Sequence, residues 1–267
     1  MAQLSMNEIT TYRWSFEEDI AGYVAAEIPS IGVWRRKLAD FGEEKGGELL
    51  AESGLEVSHL QWAGGFTGSD GRSFRESVAD GLQAIRLAAQ LRAGCLVVFT
   101  GGRAGHTYNH ARRMVRDALR ELSDLAAELH VTLALEPMHP GCATEWTFVT
   151  NLGEAVELLD EVDRPGLKIV FDTYHLCHDP SVIERIPDIA SRIGLVQLGD
   201  GKGPPDKEQN RSRLSEGELP LRQCCHALQE AGFDGYFDVE LIGEEIEASD
   251  YGELIRHSRN AFVNLTA

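Results

Sequence analysis

Short apolar runs alternate with longer amphipathic runs along nearly the whole chain. The apolar runs are rich in β-branched residues, and each breaks into a polar or glycine-rich segment. Such runs indicate buried strands, whereas apolar positions that recur every three or four residues indicate helices. The pattern predicts eight strands, at about residues 7–12, 30–34, 55–65, 95–102, 131–137, 167–175, 194–200 and 235–242.

A helix-like run follows each strand-like run. The first begins at Ser15, and Glu18 three positions later completes the spelling of a capping box. Strict alternation of strands and helices predicts an α/β fold with parallel strands and right-handed crossovers. Eight such units in 267 residues, with no GxGxxG turn after the first strand, favour one (β/α)8 barrel over residues 1–267 rather than a doubly wound sheet.

Four polar residues stand where the last four predicted strands end. Glu136, Asp172, Gln197 and Glu240 each follow or close an apolar run. The carboxyl ends of barrel strands meet at one face, where barrel enzymes build their active sites. Carboxylate and amide oxygens together suit a divalent cation, and a cation would offset the cost of burying several carboxylates side by side.

The segments ALEP, FDTYH, VQLGD and DVE, in this order and spacing, resemble the sugar phosphate isomerase/epimerase family of xylose-isomerase-like TIM barrels. The resemblance runs from about residue 7 to 263. It implies one divalent metal ion held by Glu136, Asp172, position 197 and Glu240. It also implies that His175, three residues after Asp172, contacts the substrate.

Position 197 departs from the pattern of this family, because many members have histidine where this chain has Gln197. An amide oxygen is a poorer ligand than imidazole for zinc. Mn or Mg is therefore expected rather than Zn or Co. Glutamine at this position is similar to what dehydroshikimate dehydratases show, which keeps a lyase activity open.

Other loops at the same face are expected to shape the pocket. The family usually has a substrate-binding arginine in the loop at about 200–218; Arg211 and Arg213 both lie there, and Arg213 is preferred. This polar loop, rich in glycine and proline, is predicted to be the longest and most mobile part of the rim. Further predicted substrate contacts are His106, Trp34 and Trp62.

The leading hypothesis is a metal-dependent isomerase or epimerase of a small keto- or aldo-sugar. A metal ion would stabilise an enediolate, while Glu136 and Glu240 act as the acid–base pair. The alternative is a metal-dependent dehydratase or lyase of a keto-polyol, which resembles 3-dehydroshikimate or inosose dehydratase and begins with the same proton abstraction. A sugar-binding barrel without catalysis would need one of the four ligands missing, and all four positions hold oxygen donors.

The charge and composition of the chain favour a small-molecule substrate as its partner. A net charge of -18 argues against a nucleic-acid partner, including the DNA-repair endonucleases that share this fold. The chain has no apolar run of the roughly 18 residues that a bilayer requires, so no membrane partner is expected. Five cysteines without a CxxC pair predict a reduced, cytoplasmic protein. A homo-oligomer is left open.

Overall fold

The predicted strands close into a parallel barrel in the computed structural model, which describes residues 2–267. Each strand pairs with the next one along the chain, and the eighth returns to the first. The strands are β1 Gln3–Asn7, β2 Ser30–Trp34, β3 Glu56–Gly64, β4 Leu96–Phe99, β5 Leu133–Leu135, β6 Leu167–Asp172, β7 Ile193–Leu198 and β8 Tyr236–Val239. The prediction of a (β/α)8 barrel is confirmed.

Helices connect successive strands, and the last two follow β8. They are α1 Phe16–Ala25, α2 Arg35–Phe41, α3 Glu43–Ser53, α4 Phe74–Gln90, α5 Tyr108–Glu128, α6 Leu152–Val162, α7 Thr173–Leu176, α8 Ser181–Ile189, α9 Leu221–Glu230, α10 Glu244–Ala248 and α11 Tyr251–Thr266. The predicted capping box is confirmed, since Ser15 Oγ accepts from the N–H of Glu18 and the Glu18 carboxylate accepts from the N–H of Ser15.

The side chains of each strand alternate between two buried layers. In β4, Leu96 and Val98 pack into the large core between barrel and helices, whereas Val97 and Phe99 belong to a smaller cluster inside the barrel. This alternation follows from the two-residue repeat of a strand. Because both faces are covered, the strands read as continuous apolar runs rather than as alternating ones.

The first strand lies earlier than the sequence pattern predicts. Residues 7–12 were expected to form it, but β1 ends at Asn7 and residues 8–13 form turns. Thr10 and Thr11 are buried there, and their hydroxyls are satisfied: the Thr10 hydroxyl donates to the Val239 carbonyl, and the Thr11 hydroxyl donates to Asp19. These buried β-branched side chains belong to a turn, although in the sequence they resemble the residues of a strand.

The part of the chain that the structure describes contains no helix long and apolar enough to cross a membrane.

Candidate active site

The four predicted strand-end residues lie together at the carboxyl face of the barrel. Glu136 follows β5, Asp172 ends β6, Gln197 lies one residue before the end of β7, and Glu240 follows β8. Asp172 pairs in register with Gln197. All four side chains are buried, with at most 7% of any residue exposed. The topology alone thus brings three carboxylates and an amide to one water-poor site.

His175 completes a cluster with two of these carboxylates. Asp172 caps α7, accepting at Oδ1 from the N–H of Tyr174 at 2.7 Å, and this short helix directs His175 back over the strand ends. Its Nε2 lies 3.8 Å from Glu136 Oε1 and 3.8 Å from Asp172 Oδ2. Ligand atoms of Glu136, Asp172 and His175 all fall within 4.8 Å of one another.

Burial and mutual charge set the protonation of the site. Burial raises the pKa of Glu136 well above its usual value, and the charges of Glu240 and Asp172 raise it further. Burial raises the pKa of Glu240 to about 7, although the Arg211 guanidinium opposes that rise. Burial also lowers the pKa of His175 to about 4. The two glutamates therefore bind protons far more readily than exposed carboxylates do, and the imidazole is neutral at pH 7.

Arg211, not Arg213, is the arginine of the loop after β7 that reaches this cluster. Its Nη2 lies 3.1 Å from both Asp172 Oδ2 and Glu240 Oε1, and its Nη1 donates to the Glu240 carbonyl at 2.7 Å. The ring of Tyr174 lies beneath the guanidinium, 4.7 Å away. Arg213 instead pairs with Glu253 at the partly exposed surface. The preference for Arg213 does not fit this geometry.

Asn7 is a site residue that the sequence pattern missed. Its Nδ2 donates to Glu240 Oε2 at 3.0 Å and to Asp238 Oδ2 at 2.9 Å. Placing the first strand at residues 7–12 put Asn7 at the start of that strand instead of at its carboxyl end. With β1 placed at Gln3–Asn7, Asn7 is a polar residue at the carboxyl end of a strand, and that position would have indicated a site residue.

The three remaining predicted contacts lie farther out. Trp34 packs against Tyr12, with ring centroids 5.8 Å apart. His106 packs against His110 in the loop after β4, with ring centroids 4.9 Å apart. Trp62 packs on Phe99, whose side chain points into the barrel beside the site. Of these three residues, Trp62 is the one that packs against the apolar cluster inside the barrel.

The donor set fits a divalent cation. Gln197 Nε2 donates to Glu240, which leaves Gln197 Oε1 free. In the described residues, Oε1 of Gln197 and Nε2 of His175 are both buried without a hydrogen-bond partner. A buried polar atom without a partner is costly, and a metal ion is one group that would satisfy it. Carboxylate oxygens complete the set of ligands that divalent cations prefer.

A family model described as the xylose isomerase-like TIM barrel matches residues 20–261. The chain belongs to this family. The resemblance predicted from the four strand-end motifs is therefore confirmed.

Several curated sugar epimerases and inosose isomerases are similar to parts of this chain. D-psicose 3-epimerase of Enterocloster bolteae is 31% identical over 143 residues, which cover 51% of this chain and 44% of the relative. The chain spans about half the length of the curated relatives it matches.

Solved structures of the xylose isomerase-like fold superpose over nearly the whole chain. The crystal structure of a protein from Sinorhizobium meliloti 1021 is 27% identical, has a TM-score of 0.91 and covers 98% of both chains. The IOLI protein, solved with a bound zinc atom, is 21% identical, has a TM-score of 0.85 and covers 99% of this chain and 98% of its own. At that identity the second structure shows the shared fold alone.

Proposed function

We propose that this chain is a metal-dependent isomerase or epimerase of a small keto- or aldo-sugar. The observation that carries the proposal is the pair Glu136 and Glu240, two buried glutamates with raised pKa values around one donor cluster. Similarity to a D-psicose 3-epimerase supports the same class of reaction. Perturbed carboxylates in a cleft are typical of groups that transfer protons.

The residues that would hold the cation are Glu136, Asp172, Gln197 and Glu240. When bound, it would supply Lewis-acid stabilisation of the negative charge that develops beside a carbonyl as the neighbouring carbon loses its proton. We infer Mn or Mg rather than Zn or Co, because Gln197 offers a hard amide oxygen where a zinc site would gain from imidazole.

The two glutamates would act on one substrate carbon in an epimerase. In an isomerase they would act on that carbon and the neighbouring carbonyl carbon, and a hydroxyl proton would also pass to the former carbonyl oxygen. One carboxylate removes the C–H proton, and the other, protonated glutamate returns a proton to carbon, so that composition is unchanged and only configuration or carbonyl position differs. Burial raises the pKa of both carboxyls, and the charge of a bound cation would oppose that rise, so the two effects together would bring proton uptake and release toward neutral pH. Arg211 and Asn7, which bind the Glu240 side chain, hold it in position.

Proton exchange in heavy water tests this proposal directly. The protein is loaded with Mn²⁺, incubated with keto- and aldo-sugars in D₂O, and the products are analysed by NMR and mass spectrometry. We expect deuterium on the carbon next to the carbonyl in an isomer of the substrate, and no exchange after metal removal with EDTA. A product that has lost water would instead establish the dehydratase alternative, and no exchange with any sugar would contradict both.

A further inference from the structure

A large cavity opens at the carboxyl face of the barrel, between the loops that follow β3, β4 and β5. It has a volume of about 700 Å³ and is lined by aromatic residues, glycines and a few charged side chains. Proteins bind ligands in cavities of about 300–1,000 Å³, so this one holds more than a single small sugar. The mechanism above leaves it unused.

The cavity adjoins the reacting end of the site. Val98 pairs with Leu135, and the N–H of Glu136 donates to the Val98 carbonyl at 3.1 Å. Phe99 and Glu136 are therefore neighbours on adjacent strands. Phe99 lies in the inner cluster and also lines the cavity, so it connects the cavity to the strand end that carries Glu136.

Three aromatic rings form one wall of the cavity. Trp62 lies 5.1 Å from Trp146 and 5.6 Å from Phe99, and Phe99 lies 5.9 Å from Trp146, measured between ring centroids. Trp146 is 37% exposed, although large apolar side chains are usually covered. An indole with one open face beside a cavity offers the flat apolar surface on which a sugar ring stacks.

The charges that line the cavity disfavour an anionic ligand. Arg72 is its one cationic lining residue among those that the structure describes, and its guanidinium is already paired with Asp70 at 2.6 Å and Asp80 at 3.0 Å. The same side chain donates to the Gly64 carbonyl. Asp70 and Glu145 add negative charge to the lining. A phosphate would thus meet the carboxylates of Asp70 and Glu145 and a lining guanidinium that is already paired, whereas the hydroxyls of a neutral sugar would find acceptors.

We propose that this cavity is a subsite for an uncharged second sugar ring, so that the substrate is a glycoside of a keto-sugar rather than a sugar phosphate. The inference rests on the proposed function, because the first ring must lie at Glu136 and Glu240. Trp146 and Trp62 stack on the distal ring, and Asp70 and Glu145 accept hydrogen bonds from its hydroxyls.

Four ketoses with matched substituents test the subsite. They are D-fructose, isomaltulose (fructose with a glucosyl group on O6), lactulose (fructose with a galactosyl group on O4) and fructose 6-phosphate. Deuterium exchange by the Mn²⁺-loaded protein gives kcat/KM for each. One disaccharide is expected to exceed fructose about tenfold, the upper end of what one aromatic contact contributes, and the phosphate to fall below fructose.

Two tryptophan variants show whether the preference for the disaccharide depends on the cavity. Trp146→Ala is expected to remove most of the preference for the disaccharide over fructose. Trp14→Phe is the control, because Trp14 packs against Tyr251, away from the cavity, and this variant is expected to keep the preference. Binding of the same sugars is followed independently by isothermal titration calorimetry, and the affinity for the disaccharide should depend on Trp146.

The outcomes separate the two proposals. Exchange with fructose but no preference for either disaccharide, or a preference for the phosphate, overturns the subsite and leaves the proposed function standing. No exchange with these ketoses, or with any of the keto- and aldo-sugars tried in the test of the proposed function, overturns that function. The subsite is then decided by calorimetry: disaccharide binding that Trp146→Ala weakens supports it, and binding that is independent of Trp146 or absent overturns it.

Discussion

Arg211 donates from Nη2 to Asp172 Oδ2 at 3.1 Å, and both side chains are buried. The contact joins the loop after β7 to the last residue of β6, and the same guanidinium reaches Glu240. One fixed cation therefore lies among three buried carboxylates. This arrangement makes the loop part of the site rather than only a cover over it.

Replacing Arg211 should destabilise the fold far more than replacing Arg213. Arg211→Met leaves Asp172 and Glu240 buried without their cation, and breaking a buried pair typically costs about 3–5 kcal/mol. Arg213→Met is the matched control, because its ion pair with Glu253 is partly exposed and should contribute about 0–1 kcal/mol. Urea unfolding in EDTA measures both free energies. Equal losses for the two variants would contradict the assignment.

The sequence alone could not show which of these two arginines, two positions apart, reaches the site. The loop has no apolar periodicity, so which side chain points inward depends on its backbone contacts. The N–H of Arg211 donates to the Ile242 carbonyl and the N–H of Ser212 to the Asp200 carbonyl, both at 2.8 Å. The Asp200 carboxylate also accepts from the N–H groups of Ser215, Gly217 and Leu219. These long-range bonds leave no local signature.

The strand-end residues, by contrast, were predictable because they follow a local pattern in the sequence. A buried parallel strand must be apolar on both faces, so the first polar residue after the run marks its carboxyl end. That rule found Glu136 and Asp172 directly. It failed at β1, where Ser5 and Asn7 point into a polar part of the barrel and bind Ser58 and Asp238. The barrel interior is polar beside β1, so the assumption that a buried strand is apolar on both faces does not hold for this strand.

Removing the titratable group from either glutamate should stop turnover. Glu136→Gln and Glu240→Gln are each expected to lower kcat at least about 10²–10⁴-fold, the usual scale for general acid–base catalysis. Glutamine keeps the size and one ligating oxygen, so metal affinity should fall less than kcat does. Steady-state kinetics and metal titration measure the two effects.

Glu230→Gln, an exposed change on α9, is the control for this pair and should leave kcat unaltered. Exchange of substrate protons by Glu240→Gln at the normal rate, with metal still bound, would show that Glu240 is not part of the acid–base pair. His175, which lies beside Glu136, would then be the next residue to replace.

Changing Gln197 to histidine should shift the metal preference. Imidazole is a better zinc ligand than an amide oxygen, so Gln197→His should raise the affinity for Zn²⁺ relative to Mn²⁺ by about tenfold or more. Competition titrations with a chelating indicator give both constants. Gln223→His adds a histidine on the exposed side of α9 and controls for surface binding. An unchanged Zn²⁺/Mn²⁺ ratio would place position 197 outside the ligand set.

His59 should give the fold a measurable dependence on pH. It is buried beneath the site, where Nδ1 lies 3.0 Å from Ser58 Oγ and Nε2 lies 3.1 Å from Gln61 Oε1. Asp238, 3.9 Å away, and Asn7 also face its ring. Burial lowers the pKa of His59 to about 4. Because the unfolded chain titrates near pH 6.5, it binds more protons than the folded chain between about pH 4 and 6.5.

Stability from this group is therefore complete above about pH 6.5 and is lost as the pH falls toward 4. Asp238 acts in the opposite sense, because burial raises its pKa to about 7 and its contribution falls as the pH rises. The unfolding free energy of the wild type minus that of His59→Gln isolates the histidine. This difference should fall by up to about 3 kcal/mol from pH 7 to pH 4, measured in urea with EDTA present. The exposed change His110→Gln should follow the wild type, and a difference that is flat with pH would show that His59 is not kept neutral by burial.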